Sequence, residues 1–153
     1  MKVKLLSPGA KVPTRANKYA AGYDLYSPVD FEIKPGRNIL PLGFKIELDP
    51  NTEGMIRPRS GFSSKGMEGI SPDDPKKPKR FDADVIIGTI DEDFRGIPGV
   101  IIKSNESTPF IIEAGTKVAQ IVISRYESNP FEVVDELSQT ERADQGWGHT
   151  GTK

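Results

Sequence analysis

The chain has 153 residues, the length of one domain, and its 21 Lys and Arg against 22 Asp and Glu leave a formal net charge of −1. That balance provides no overall field to draw it to nucleic acid or an anionic membrane, so any anion site must be local. The absence of cysteine excludes disulfides, thiolate nucleophiles and zinc–thiolate centres, and the single His149 cannot build a histidine metal cluster.

Glycine (15) and proline (13) recur at short intervals, and the segments between them are brief β-branched or aliphatic runs without long helical periodicity. This pattern predicts an all-β chain. Strands are expected first at Val3–Leu6, Gly22–Tyr26, Phe31–Lys34, Asn38–Leu48 and Gly54–Arg57. Ser60–Gly66 is the one stretch suited to a short helical turn, opened by Ser60, Gly61 and Ser63 and ended by Gly66. Residues 68–84 carry three prolines and the basic run Lys76–Arg80, and read as a solvated loop excursion anchored by Ile70 and Phe81. Further strands are expected at Val85–Ile90, Val100–Lys103, Phe110–Glu113, Val118–Tyr126 and Phe131–Asp135. Residues 139–153 are glycine-rich, cannot pack a core, and read as a mobile arm beyond a single domain over 1–138. No apolar run nears the roughly 20 residues of a spanning helix, so a soluble cytoplasmic protein without membrane or stable nucleic-acid partners is expected.

Chemistry-bearing residues cluster at five places. Ala20–Leu25 brings small residues and Gly22 into a strand carrying Asp24. Arg57–Gly66 packs three cations, three hydroxyls and two glycines into one junction; it suits a polyanion, and reads equally as a basic surface turn. Gly88–Gly96 ends an apolar run in three carboxylates and the ring of Phe94, with Asp91 directed by the strand-like Ile90; an acidic hairpin turn gives the same pattern. In Ala114–Ile123 a single amide, Gln120, sits among apolar residues and must find a partner. Thr140–Gly151 surrounds the only tryptophan, Trp147, with glycines.

In this order, Ala21–Leu25, Pro58–Gly61, Gly88–Gly96, Lys117–Gln120 and Arg142–Gly151 resemble the five motifs of the trimeric deoxyuridine triphosphatases, across nearly the whole chain. The resemblance implies a distorted β-barrel or jelly roll with one short helix, and a homotrimer with shared active sites. It also implies hydrolysis of Mg²⁺-bound dUTP to dUMP and pyrophosphate, which keeps dUTP out of DNA. It makes Asp91 the base that activates water for attack at the α-phosphorus and puts Phe94 beneath the deoxyribose. Backbone from about Asp84 to Gly88, including Val85, would read uracil. Arg59, Ser60, Gly61 and Gln120 would hold the phosphates. Arg142 and Thr150 would take the γ-phosphate as Trp147 stacks on the base, with His149 beside Thr150 among the substrate-binding positions, and Asp24 would reach Mg²⁺ only through water. The chain departs from the family pattern at Phe94, Trp147, His149 and Lys117, where Tyr, Phe, Ser and Arg are usual, and in its long 68–84 excursion. Two other readings share the fold: a dCTP deaminase or bifunctional relative, with Asp82 or Asp84 as base-side carboxylate, and a non-catalytic nucleotide sensor or protein-binding module.

Overall fold

Alternation along the strands decides which side of each sheet faces inward. In a computed structural model that describes residues 1–144, thirteen strands and one helix form. The first half runs β1 Lys2–Leu5, β2 Gly22–Tyr26, β3 Phe31–Ile33, β4 Gly36–Pro41, β5 Phe44–Glu47, β6 Thr52–Arg57 and α1 Ser60–Lys65. The second runs β7 Met67–Ser71, β8 Asp74–Phe81, β9 Ala83–Ile86, β10 Gly88–Ile90, β11 Gly99–Ser104, β12 Phe110–Ile112 and β13 Lys117–Arg125. They pair as β10-β6-β13-β2, β4-β11-β9, β3-β12-β7-β8 and β1-β5. Every strand pair is antiparallel.

Each sheet contributes to one core. Leu25, Ile56 and Ile121 come from the first, Leu40, Val100 and Ile102 from the second, Ile33, Met67 and Phe110 from the third, and Phe44 and Ile46 from β5. All are buried, each aliphatic or aromatic side chain contributing about 1.5–3 kcal/mol relative to exposure. The all-β architecture with a single short helix agrees with the sequence reading.

The structure corrects that reading in four places. The expected strand Asn38–Leu48 divides at Gly43, whose φ of 69° turns the chain so that β4 pairs with β11 and β5 with β1. Val85–Ile90 likewise divides at the exposed Ile87, sending β9 to β11 and β10 to β6. Residues 68–84 are mostly a β-hairpin, β7–β8. Its β8 tolerates Pro75 and Pro78 because it lies at the sheet edge, where missing N–H donors cost nothing to a neighbour. Phe81 anchors it by stacking on Phe110 at 4.2 Å with 2° between the rings. Finally, Phe131–Asp135 forms no strand: the last ends at Arg125, and Phe131 and Val133 are fully exposed (104% and 99%). A β-rich segment finds no edge to join among the described residues.

Candidate active site

Ile90 is buried and pairs with Gly54, which fixes the direction in which the chain leaves β10. Gly54 permits this packing: a Cβ there would lie 2.8 Å from Ile121 Cδ1. The turn that follows is closed by Phe94 N–H donating to the Asp91 carbonyl at 3.1 Å. Arg95 Nη1 ties it further, donating to the carbonyls of Glu92 (2.7 Å) and Phe94 (2.9 Å). The Phe94 ring lies against Gly96, where a Cβ would approach Cζ to 2.7 Å.

The three carboxylates of this turn have separate fates. Glu92 Oε2 accepts from the Tyr126 hydroxyl and from the Asn51 N–H, both at 2.7 Å. The tyrosine bond first and the amide second hold its carboxyl below the ordinary range, and the same bond raises the Tyr126 hydroxyl. Glu92 is therefore a strut between the turn, β13 and the Asn51 bend. Asp91 and Asp93 have no side-chain partner among the described residues and face solvent. Asp91 borders a cleft of ≈ 180 Å³ shared with Ile56, Gly88, Thr89, Phe94, Ile97 and Ile101. One carboxylate beside one ring and an open glycine edge suits a flat polar base and a sugar.

A second, more cationic cleft lies at the other end of the sheet, lined by Arg59, Gly61, Phe62, Glu68, Arg80, Thr116 and Lys117. Behind it Asp24, 9% exposed, accepts from Arg59 Nε at 3.0 Å and Lys117 Nζ at 2.7 Å. The bond to Asp24, and then its charge, raise the Lys117 pKa. Arg59 is thus held by Nε, leaving its two terminal nitrogens for an anion. Gln120 pairs across the sheet with Asp24 and Arg57, and its Nε2 donates to the Pro58 carbonyl at 3.0 Å. Its amide fills the space over Gly22, where a Cβ would come within 2.2 Å of Oε1. The buried amide's partner is therefore the backbone of the Pro58–Gly61 junction. Arg59 is also the N-cap of α1, without a side-chain cap, so Ser60 is not the cap but the first helical residue.

Two glycines remain unexplained by the chain itself. Gly61 and Gly88 have nothing within 4 Å of a built Cβ and no positive φ, unlike every other glycine among the described residues for which a Cβ was placed. Each lies at one of the two clefts. A glycine with neither packing nor conformational cause marks close approach by something else.

Asp91 and Arg59 are far apart in one chain. Ile90 pairs with Gly54, so Asp91 stands near Glu53, whereas Arg59 lies two residues beyond the other end of β6. At 3.3 Å per residue the two are separated by roughly 20 Å. The structure thus gathers Asp24, Arg59, Gly61, Gln120 and Lys117 about the Arg57 end of β6 and carries Asp91 past Gly54 toward the other end, with Gly88, opposite Ile56, between them. The Val85 side chain is buried in the core opposite Ile102 and the cleft lining starts at Gly88, which leaves the Val85 peptide groups, the part expected to read a base, independent of that burial. Arg142 lies exposed beyond β13, while Trp147, His149 and Thr150 fall outside the described residues. Arg80 is the cleft residue that sequence reasoning assigned to solvent, because only pairing with β7 turns it toward Arg59.

A metal has little protein to bind. Among the described residues no group of three or more His, Cys, Asp or Glu is arranged to hold one. Asp24 retains acceptor sites beyond its two cation bonds, so it fits a metal carried by a ligand's phosphates and reached through water. No helix of the described residues is long and apolar enough to cross a membrane.

Known proteins share the sequence pattern and the fold. A family profile described as dUTPase matches residues 9–74 and 77–151. The deoxyuridine 5'-triphosphate nucleotidohydrolase of rabbitpox virus (strain Utrecht) is 39% identical over 145 residues, 94% of this chain and 88% of the viral one. That of Corynebacterium efficiens is 40% identical over 148 residues, 95% of this chain and 75% of the bacterial one. The solved structure of Staphylococcus bacteriophage 80alpha dUTPase with dUPNHPP gives a TM-score of 0.81 at 25% identity, covering 98% of this chain and 97% of that one. The break in the family match falls within β8, on the hairpin. With both clefts inside the matched residues, the chain belongs to the dUTPase family.

Proposed function

We infer that the protein is a dUTP diphosphatase, which hydrolyses dUTP to dUMP and pyrophosphate. In the reading we favour, Asp91 accepts a proton from water as the water oxygen bonds to the α-phosphorus. The bond from that phosphorus to the α,β-bridging oxygen breaks, and the bridging oxygen leaves with pyrophosphate. Asp91 suits this role because its carboxylate is unpaired among the described residues and is fixed at its base by Ile90 and Gly54. Phe94, held against Gly96, would carry the deoxyribose and leave no room or partner for a 2′-hydroxyl. The open backbone edge at Gly88 would meet uracil with peptide N–H and C=O groups.

At the other end of β6, Arg59 and the Ser60–Gly61 backbone and hydroxyl would bind the phosphates. Asp24 positions Arg59, and Gln120 positions the Pro58–Gly61 junction. Bound Mg²⁺ would neutralise phosphate charge, held mainly by the substrate with Asp24 reached through water. Residues 139–153 would form an arm that closes the site, with Arg142, His149 and Thr150 toward the γ-phosphate and Trp147 over uracil.

The observation that carries this reading is the gap along β6. Asp91 must place its water about 3–3.5 Å from phosphorus, and a cradle roughly 20 Å away in the same chain cannot hold that nucleotide. A second copy must bring its cradle to the first copy's Asp91. The uncovered Phe131 and Val133, on a strand-forming segment without a strand, support intersubunit pairing, and a homotrimer with shared sites satisfies both. A deaminase would need Asp82 or Asp84 at the base. Asp82 is hydrogen-bonded to Asn105, Asp84 pairs in β9 opposite Lys103, and neither lines the Asp91 cleft.

Incubation with dUTP or dCTP, assayed for both pyrophosphate and ammonia, tests the activity; ammonia from dCTP would overturn it. Asp91→Asn should lose nearly all turnover while keeping dUTP binding, and persistent turnover moves the base elsewhere. Light scattering should give a trimer mass, and an active monomer removes the shared site.

A further inference from the structure

The hairpin β7–β8 reaches the cationic cleft through one ion pair. Glu68 and Arg80 are cross-strand neighbours in its register, and Arg80 Nη2 lies 2.9 Å from Glu68 Oε2 as an ion pair. Arg80 Nη1 also donates to the Gly66 carbonyl at 3.2 Å, at the C-terminal end of α1. Both residues line the cleft with Arg59, Gly61 and Lys117.

The guanidinium is carried on a stiff support. Gly66 has φ of 79°, and a Cβ there would stand 2.4 Å from the Phe81 carbonyl oxygen, so β8 packs directly on the end of α1. Phe81 in turn stacks on the fully buried Phe110. Arg80 is therefore placed by backbone contact on one side and by ring stacking on the other. The Gly66 bond and the Glu68 ion pair leave three N–H donors, and the side chain, 43% exposed, lines the cleft.

Charge gives this arrangement a direction. Among the described residues that line the cleft, Arg59, Lys117 and Arg80 face one carboxylate, Glu68, with Asp24 paired to Arg59 and Lys117 behind it. Asp24 is buried and already bound to Arg59 and Lys117, whereas the Glu68 side chain is 51% exposed and pairs with Arg80 alone. A half-exposed ion pair of this kind contributes little stability and is readily exchanged for a more highly charged anion with matching geometry.

We propose that Arg80 is a further substrate-binding residue, a guanidinium that grips the β,γ end of the nucleotide's triphosphate, with Glu68 the carboxylate that holds it in place until the anion displaces it. The assignment rests on the dUTPase reading of the cleft and deepens it. It makes the hairpin a fourth wall of the phosphate cradle and gives this chain a contact that distinguishes triphosphate from monophosphate.

The test is binding of dUMP and of the imido triphosphate dUPNHPP by calorimetry, together with steady-state dUTP hydrolysis, for the full chain and its variants. Arg80→Gln should weaken dUPNHPP binding about tenfold and leave dUMP binding unchanged, the loss expected for one charge-assisted contact to the terminal phosphates. Arg80→Lys should recover part of the loss, and Glu68→Gln should tighten dUPNHPP binding by removing the competing carboxylate. Unchanged dUPNHPP affinity in Arg80→Gln overturns the proposal, and so does an equal loss for both nucleotides, which would mean a merely structural role. Absence of dUTP hydrolysis by the parent protein would instead overturn the functional reading beneath it.

Discussion

Replacing Gly88 with alanine separates what the fold needs from what a ligand needs. The added Cβ meets no protein atom within 4 Å, and the backbone there is not in the left-handed region. Alanine reduces the freedom of the unfolded chain, so the folded state should gain about 0.4–1 kcal/mol. For a chain of this length that is a rise of roughly 1–4 °C in Tm. If uracil lies against the Gly88 backbone, the same methyl occupies ligand space, at an overpacking cost of about 1–3 kcal/mol. That corresponds to weaker dUPNHPP binding by about 5- to 150-fold. Gly54→Ala provides the opposite case, since its Cβ collides with Ile121 Cδ1 at 2.8 Å and should lower Tm. Differential scanning calorimetry and titration calorimetry on the same preparations read both quantities, with light scattering to confirm unchanged assembly. A Gly88→Ala protein that binds the nucleotide as tightly as its parent would refute the placement of the base at this edge.

Gly22→Ala should destabilise the protein by about 1–3 kcal/mol, because Gln120 Oε1 stands 2.2 Å from the new Cβ and the amide must leave the Pro58 carbonyl; chemical unfolding measures this, and unchanged stability would show that Gln120 is not fixed there. Tyr126→Phe tests the strut at Glu92. A carboxyl with a lowered folded pKa contributes stability above its unfolded value and loses it as pH falls through the folded one. The variant should therefore be less stable than its parent at neutral pH, and the difference should shrink as the pH drops below about 4.3; thermal unfolding across that range checks it, and a gap constant with pH contradicts the assignment.

Local signals marked the two stretches only as candidates, each also readable as a surface turn. It was the order of five motifs resembling one family that singled out Asp91, Phe94, Arg59 and Gly61. Gly88 to Gly96 declared itself because a buried strand end, Ile90, runs directly into Asp91 and Phe94 within one turn. Arg59 and Gly61 stood out for a different reason, the concentration of cations, hydroxyls and glycines in one junction. What was not legible depends on partners distant in sequence. Nothing local distinguishes Val85 as a core residue from Gly88 as a cleft residue; the exposed Ile87 that divides them is apolar and suggests a continuous strand. The prolines of β8 argued for a loop, and only its position beside β7 at a sheet edge makes them acceptable. Arg80 was lost with that hairpin. Conversely, the β-branched residues near Phe131 promised a strand, yet propensity cannot supply the edge on which a strand depends.

The length of β6 has a consequence for mixtures of defective chains. If each complete site takes Asp91 from one copy and Arg59 from another, then Asp91→Asn and Arg59→Gln damage opposite ends of different sites. A trimer assembled from both variants contains junctions where both ends are broken and junctions where neither is. Two inactive preparations, unfolded together and reassembled, should then regain activity that neither shows alone, a form of complementation a self-contained site cannot produce.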